Sequence, residues 1–356
     1  MKKKIRVLVV DDSAFMRKSI SYILESSGEI EIVGTAKNGL EGFEAVMNLK
    51  PDLVTLDVEM PVMNGLDTLK KIMDQCPTPV IMLSSLTAEG TETTLKALSL
   101  GAVDFLTKDV VNINSGLVNI QRELIAKIKS IHNQRSLTFR LSRINNRLSD
   151  PSQKKVVLTS SNFVRPSFEI KAILIGISTG GPLSLQKVIP ELDKNIPVPI
   201  FIVQHMPPMF TRSLADRLDK MSPISVKEAE DKENIVSSQI YIGPGGKHMI
   251  TEKNSGMYHI KITDQPADSL YKPCVDVTLN SLIDFYGKHV FAIIMTGMGK
   301  DGLEAVKRLK QLGGYSVAQD EDSCVVFGMP KAIVDNNLAD AVLPLDSIAT
   351  QINKLF

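Results

Sequence analysis

The chain has 356 residues, is 43% hydrophobic and 23% charged, and carries a formal net charge of +1. That composition reads as soluble and globular and gives no bulk charge to draw the protein to nucleic acid or a membrane surface. The length is too great for one ordinary core and suits two domains. No apolar run approaches the ~20 residues of a membrane span, so no membrane insertion is expected. Three scattered cysteines, Cys76, Cys274 and Cys324, offer neither a disulfide framework nor metal-ligand spacing, which points to a reducing cytoplasm.

After Met1-Lys2-Lys3-Lys4, the run Ile5–Val10 is too short for a secretory leader and reads as a first strand. Further short apolar runs follow at 31–34, 53–56, 80–83 and 104–106, with helical patterns between them. The last helix shows Leu117, Ile120, Leu124, Ile128 and Ile131 on one face. Five strands with intervening helices imply a doubly wound parallel sheet over residues 1–130. Residues 131–168 read as a basic linker, partly helical. From His132 onward they hold seven basic side chains (Arg135, Arg140, Arg143, Arg147, Lys154, Lys155, Arg165) against one acidic, Asp150. Leu137, Leu141, Ile144 and Leu148 suggest a short amphipathic helix ahead of Asp150-Pro151. Strand–helix alternation resumes over 169–356, with apolar runs at 172–175, 200–203, 240–242 and 290–295. The fold class expected is therefore α/β, two doubly wound and mainly parallel sheets.

In the first half, strand ends carry an acidic cluster. Strand one runs into Asp11-Asp12 and strand three into Asp57, then Val58-Glu59-Met60-Pro61 and Asn64-Gly65. Carboxyl ends of parallel strands share one edge. Three carboxylates converging there need a cation, and an all-oxygen donor set suits Mg²⁺. Ser84 ends strand four, and Thr107-Lys108 end strand five. A hydroxyl and a lysine beside a metal-bound carboxylate form a phosphoryl-acceptor site, with Asp57 as nucleophile.

In the second half, Gly176-Ile177-Ser178-Thr179-Gly180-Gly181 follows a strand. A serine at such a turn stands clear of the backbone, and the amides of the following helix can face an oxyanion; an anion-binding loop would look similar. A serine nucleophile needs a base. His205, after Ile200–Val203, shares the sheet edge of Ser178; His248 lies in a turn-rich loop and is the second candidate. His132, His259 and His289 read as linker, strand and surface residues. Asp301, in Thr296-Gly297-Met298-Gly299-Lys300-Asp301-Gly302, is the carboxylate that could orient an imidazole, or simply cap the helix after it. The order Ser…His…Asp differs from the α/β-hydrolase order despite the G-x-S-x-G match.

Residues 1–125 resemble a flavodoxin-like response-regulator receiver domain. The resemblance implies Asp57 as the phosphorylated aspartate, and Asp11, Asp12 and the Glu59 carbonyl as further Mg²⁺ ligands. It implies Ser84 and Lys108 as sensors of the phosphoryl group and Phe105 as the aromatic switch. Asp109 departs from the proline usual after that lysine. The whole chain, with GISTGG, QHMPP and TGMGKDG, resembles the CheB family of bacterial chemotaxis, methylesterases and deamidases of receptor glutamate and glutamine side chains with a Rossmann-like catalytic domain. The resemblance places the catalytic set on Ser178, His205 and Asp301, with Thr179 beside the nucleophile and the Met298 amide at the oxyanion. It implies cytoplasmic helices of methyl-accepting chemoreceptors as substrate, a histidine kinase of the CheA type as phosphodonor, no nucleic-acid partner, and no cofactor in the catalytic half. A flexible tether between the two domains would let the receiver lie over the Ser178 edge and block a long receptor helix until Asp57 is phosphorylated. Lys272 and Cys274 stand where the family has arginine and serine. A receiver with a transcriptional output domain has only the basic linker in its favour. A stand-alone esterase for small lipids leaves the acidic cluster unexplained.

Overall fold

The computed structural model describes residues 3–85, 87–108, 117–134, 163–254 and 257–356. The chain divides into two compact units, Met1–Val157 and Leu158–Phe356. Asp109 and the expected linker helix over 137–148 lie outside the described residues.

The first unit alternates β1 (Ile5–Val10), α1 (Ala14–Glu25), β2 (Ile30–Ala36), α2 (Gly39–Leu49), β3 (Leu53–Asp57), α3 (Gly65–Gln75), β4 (Val80–Ser84), α4 (Ala88–Ser99), β5 (Asp104–Thr107) and α5 (Leu117–Asn133). Its five strands are parallel in the order β2-β1-β3-β4-β5, the doubly wound flavodoxin-like order. Helices cover both faces, so β3 and β4 are buried along their whole length and read as continuous apolar runs rather than alternating ones. Leu124, Ile128 and Ile131 of α5 are buried, as their spacing predicts. Ser13, Asn38, Asn64 and Thr87 each accept a backbone N–H at a helix start, which fixes where the chain leaves the sheet edge.

The second unit contains β6 (Ala172–Ile177), α6 (Gly181–Val188), β7 (Ile200–Gln204), α7 (Phe210–Asp219), β8 (Ser225–Glu228), β9 (Gln239–Ile242), β10 (His248–Asn254), β11 (Met257–Thr263), α8 (Val275–Tyr286), β12 (Val290–Ile294), α9 (Leu303–Gln311), β13 (Tyr315–Gln319), α10 (Met329–Asp335), β14 (Ala341–Leu343) and α11 (Leu345–Asn353). Seven parallel strands form a sheet in the order β14-β13-β12-β6-β7-β9-β8. Strands β10 and β11 form a separate antiparallel hairpin. The expected α/β class therefore holds for both units. Strand order turns at β6, whose neighbours are β7 and β12; ligand sites in such sheets lie beyond the carboxyl ends of strands at this point. Residues 163–168, placed in the linker by composition, include side chains seated on this unit. Phe163 meets Phe291 and Tyr315 edge-on, at 6.4 and 5.9 Å between ring centroids.

Gly65 closes the turn after β3, donating its N–H to the Val58 carbonyl (2.9 Å). A Cβ there would lie 2.1 Å from the Asp57 backbone oxygen and 2.9 Å from the Val58 Cα. Because the obstacle is backbone, Gly65→Ala should destabilise the first unit by about 1–3 kcal/mol. The check is its chemical denaturation midpoint, which should fall; an unchanged midpoint would contradict the close approach.

Candidate functional site

At the carboxyl edge of the first sheet, the carboxylates of Asp11, Asp12 and Asp57 lie within 4.8 Å of one another. Lys108 reaches in from the end of β5, with Nζ 2.6 Å from Asp57 Oδ2 and 3.2 Å from Asp11 Oδ2. One lysine does not balance three carboxylates. Burial, together with the nearby Asp11 charge, pushes the Asp57 carboxyl up to about 6 despite Lys108 and the Glu59 N–H. Burial lowers Lys108, but Asp57 and Asp11 more than restore it, holding its ammonium above the usual lysine range. An oxygen-only donor set with uncompensated negative charge fits a hard divalent cation. Ser84 is turned the other way: Thr94 Oγ1 donates to its Oγ (2.6 Å), and its own hydroxyl reaches the Gly90 carbonyl at 3.2 Å. Phe105 is buried.

In the second unit, Ser178 follows β6 and is half-buried. It is tied to the ends of both neighbouring strands. Its N–H donates to Thr296 O (2.9 Å), beyond β12, and His205 N, beyond β7, donates to Ile177 O (3.1 Å). Gln204 Nε2 donates to the Ser178 carbonyl (3.0 Å). The turn needs glycine at 180, where φ is +77°. Glycine is also needed at 297, where a Cβ would lie 2.8 Å from the Ser178 Cβ and 2.5 Å from Met329 Sδ. Thr296 joins three segments through its hydroxyl, which donates to Thr179 O (2.9 Å) and accepts from Val325 N and Val326 N (3.1 and 3.0 Å). Gly297 O accepts from Gly328 N and Met329 N. The stretch Ser323–Pro330 thus buttresses the loop that carries Met298, and Thr179 is buried beside the serine.

His205 Nε2 lies 2.7 Å from Asp301 Oδ2, and both side chains are nearly inaccessible. Its Nδ1 is buried and has no hydrogen-bond partner. Ser178 Oγ therefore does not bond the ring in this state; such contacts often close only in the substrate complex. Asp301 does not cap the helix after it. It caps α8 from outside, taking Val275 N (2.7 Å) on Oδ2 and Asp276 N (3.0 Å) on Oδ1. Cys274 Sγ also donates to Oδ1 at 3.2 Å. Burial alone would raise the Asp301 carboxyl, but His205 and the two helix amides outweigh it and bring it down to about 2. Burial and the Asp301 charge push the Cys274 thiol up to about 12, so it remains a donor.

His248, the second candidate base, is buried with Nε2 3.2 Å from Pro266 O, and burial lowers it. His259 lies on the hairpin strand β11, and His289 Nδ1 meets Glu169 O. Lys272 donates to Asp264 O. Sequence reasoning missed Tyr271, whose ring stacks on His205 with centroids 4.2 Å apart and planes 12° apart. It also missed Gln204 and Thr296, although buried polar residues at strand ends are a usable signal.

The family described as CheB methylesterase matches residues 173–352, and the response regulator receiver domain matches residues 7–116. A protein-glutamate methylesterase/protein-glutamine glutaminase of Lawsonia intracellularis is 46% identical over 352 residues, 98% of each chain. One from Thermotoga maritima is 43% identical, over 99% of this chain and 98% of its own. The crystal structure of the Thermotoga maritima CheB methylesterase catalytic domain superposes with a TM-score of 0.51 at 43% identity, covering 53% of this chain and all of that one.

A carboxyl held at about 2 instead of the ordinary 3.8 stabilises the fold fully above pH 4 and loses that contribution as pH falls toward 2. Asp301→Asn lacks the titration. The parent's advantage over it in unfolding free energy should narrow by about 1–2 kcal/mol between pH 5 and pH 2.5, measured by urea denaturation. A pH-independent difference would refute the assignment.

Proposed function

This chain belongs to the CheB methylesterase family and carries a response regulator receiver domain ahead of the catalytic domain, and we propose that Ser178, His205 and Asp301 perform its hydrolysis under the control of Asp57. It is a protein-glutamate methylesterase and protein-glutamine glutaminase. Its substrates are glutamate γ-methyl esters, and specific glutamines, on the cytoplasmic helices of chemoreceptors, and it works in the cytoplasm. The domain division that goes with this reading is a receiver over 1–130, a linker over 131–168 and a catalytic domain over 169–356.

The observation that carries the reading is the buried His205–Asp301 pair, set on the same sheet edge as Ser178. With Nε2 committed to Asp301, Nδ1 is the nitrogen left to take the serine proton. Asp301 remains anionic at working pH, fixes that tautomer, and stabilises the imidazolium that forms. Ser178 Oγ attacks the ester carbonyl. Backbone amides at Thr179 and Met298 face the developing oxyanion. Collapse expels methanol, protonated by His205. A water deprotonated by the same Nδ1 then attacks the acyl-enzyme; as the acyl C–O bond breaks, His205 returns that proton to Ser178 Oγ and the glutamate is freed. With glutamine, ammonia leaves in place of methanol.

In the receiver domain, Asp11, Asp12, Asp57 and the Glu59 carbonyl are the groups that would hold Mg²⁺, which supplies neutralising charge to the phosphoryl oxygens during transfer. Asp57 accepts the phosphoryl group from a histidine kinase of the CheA type. Lys108 then exchanges its carboxylate partners for phosphoryl oxygens, and Ser84 leaves Thr94 and Gly90 for the same group. Phe105, buried on β5, senses the rearrangement.

Ser178→Ala and His205→Ala should each lower methanol release from methylated receptor membranes by about 10⁴–10⁶-fold. Near-parental release by Ser178→Ala would sink the assignment. Asp57→Ala should retain basal release but lose any stimulation by a small phosphodonor with Mg²⁺; stimulation that persists in this variant would place the phosphoacceptor elsewhere.

A further inference from the structure

We infer that Tyr271 is a positioning residue for the hydrolysis, its ring fixing the plane of the His205 imidazole through face-to-face stacking. This rests on the reading of Ser178, His205 and Asp301 as the catalytic set.

The imidazole has one hydrogen-bonded edge, Nε2 on Asp301, and Nδ1 has no partner. A ring held at a single atom can still tilt about that bond. Tilting would keep the Asp301 contact and swing Nδ1 off the serine. A second restraint therefore has to act on the face, not the edge. Tyr271 supplies it, 4.2 Å away and within 12° of parallel. The same short segment also holds Asp301: Cys274 donates to Oδ1, and Val275 N and Asp276 N donate to Oδ2 and Oδ1. One stretch, Tyr271–Asp276, thus grips the carboxylate from its oxygens and the imidazole from its face. The phenol end reaches toward the loop that carries Met298, with its oxygen 3.5 Å from where a Cβ on Gly299 would stand.

Stacking also has an electronic consequence. When Ser178 yields its proton, the imidazole becomes a cation against the electron-rich face of the tyrosine, which stabilises it. The ring matters for this and the hydroxyl does not. The residue acts through His205, so its loss should appear in kcat rather than KM.

The test uses the full chain and methanol release from methylated receptor membranes with phosphodonor and Mg²⁺. Tyr271→Phe should keep kcat within about two-fold of the parent. Tyr271→Leu and Tyr271→Met, which lack an aromatic face, should lower kcat by about 3–30-fold with KM nearly unchanged. Thermal transitions of all three variants check that the domain is folded, and the two non-aromatic variants guard against one failing to fold. Parental kcat in both non-aromatic variants, an effect confined to KM, or equal damage from Tyr271→Phe would overturn the inference. Ser178→Ala run alongside separates two failures. Full activity there removes the catalytic reading itself, whereas an inactive Ser178→Ala beside an active Tyr271→Leu removes only the role of the tyrosine.

Discussion

The catalytic half is organised around one anion, the Asp301 carboxylate, and the donors that converge on it. Four groups point at its two oxygens: the His205 ring, the Val275 and Asp276 amides, and the Cys274 thiol. Two of these are the first amides of α8, which would otherwise lack partners and which carry the positive end of the helix dipole. Burying an unpaired carboxylate is costly. Burying this one is tolerated because helix geometry supplies donors already in place. The carboxylate in turn fixes which imidazole nitrogen is committed, and so which is left without a partner. Cys274 fits this scheme without reactivity of its own, because a thiol pushed up to about 12 acts as a weak neutral donor, as a serine hydroxyl would in its place.

Both domains place their proposed site residues at the same topological position. Buried parallel strands end together, and only their carboxyl edge offers loops that can carry polar side chains without disturbing the core. In the receiver domain that edge collects Asp11, Asp57, Ser84 and Lys108 from the ends of β1, β3, β4 and β5. In the catalytic domain it collects Ser178, His205 and Thr296 from the ends of β6, β7 and β12. Hydrogen bonds across the ends, such as Ser178 N to Thr296 O and His205 N to Ile177 O, extend the sheet ladder by one step. These strand-end residues are therefore anchored directly to the sheet.

Much of this was legible in the sequence because parallel strands are apolar along their length. Ile5–Val10, Val80–Ser84, Ala172–Ile177 and Val290–Ile294 announce themselves, and polar residues at or just past their ends mark the candidate sites. Strand β13 does not. Tyr315–Gln319 places Ser316 and Gln319 at fully buried positions, where their polarity is spent on the Leu338 carbonyl and the Thr296 amide. In the hairpin, β11 alternates His259 and Lys261 with apolar neighbours while β10 turns polar from Thr251 onward, and neither has a helix-crossover signature. The carboxylate at 301 was visible as a glycine-flanked acid at a strand end, but its partners were not: a helix start some 26 positions earlier leaves no local pattern. Tyr271 had no signal at all, since stacking on a histidine 66 positions away in sequence depends wholly on the tertiary fold.

Two buried carboxyls in this chain are driven in opposite directions, and the difference follows from the donors each one meets. Asp301 is brought down to about 2 by an imidazole and helix amides, so near neutral pH it is an anion. Asp57 is raised to about 6 by burial and the adjacent Asp11 charge, with a single lysine as compensation. A permanently satisfied carboxylate would be a poor acceptor of a phosphoryl group. One left short of positive charge has affinity for a divalent cation and for the donor that arrives with it, and its state changes when either is present. The Asp301 carboxylate is saturated with donors and the Asp57 carboxylate is left short of them, which suits the roles proposed for them, a fixed part of a catalytic site and a switch.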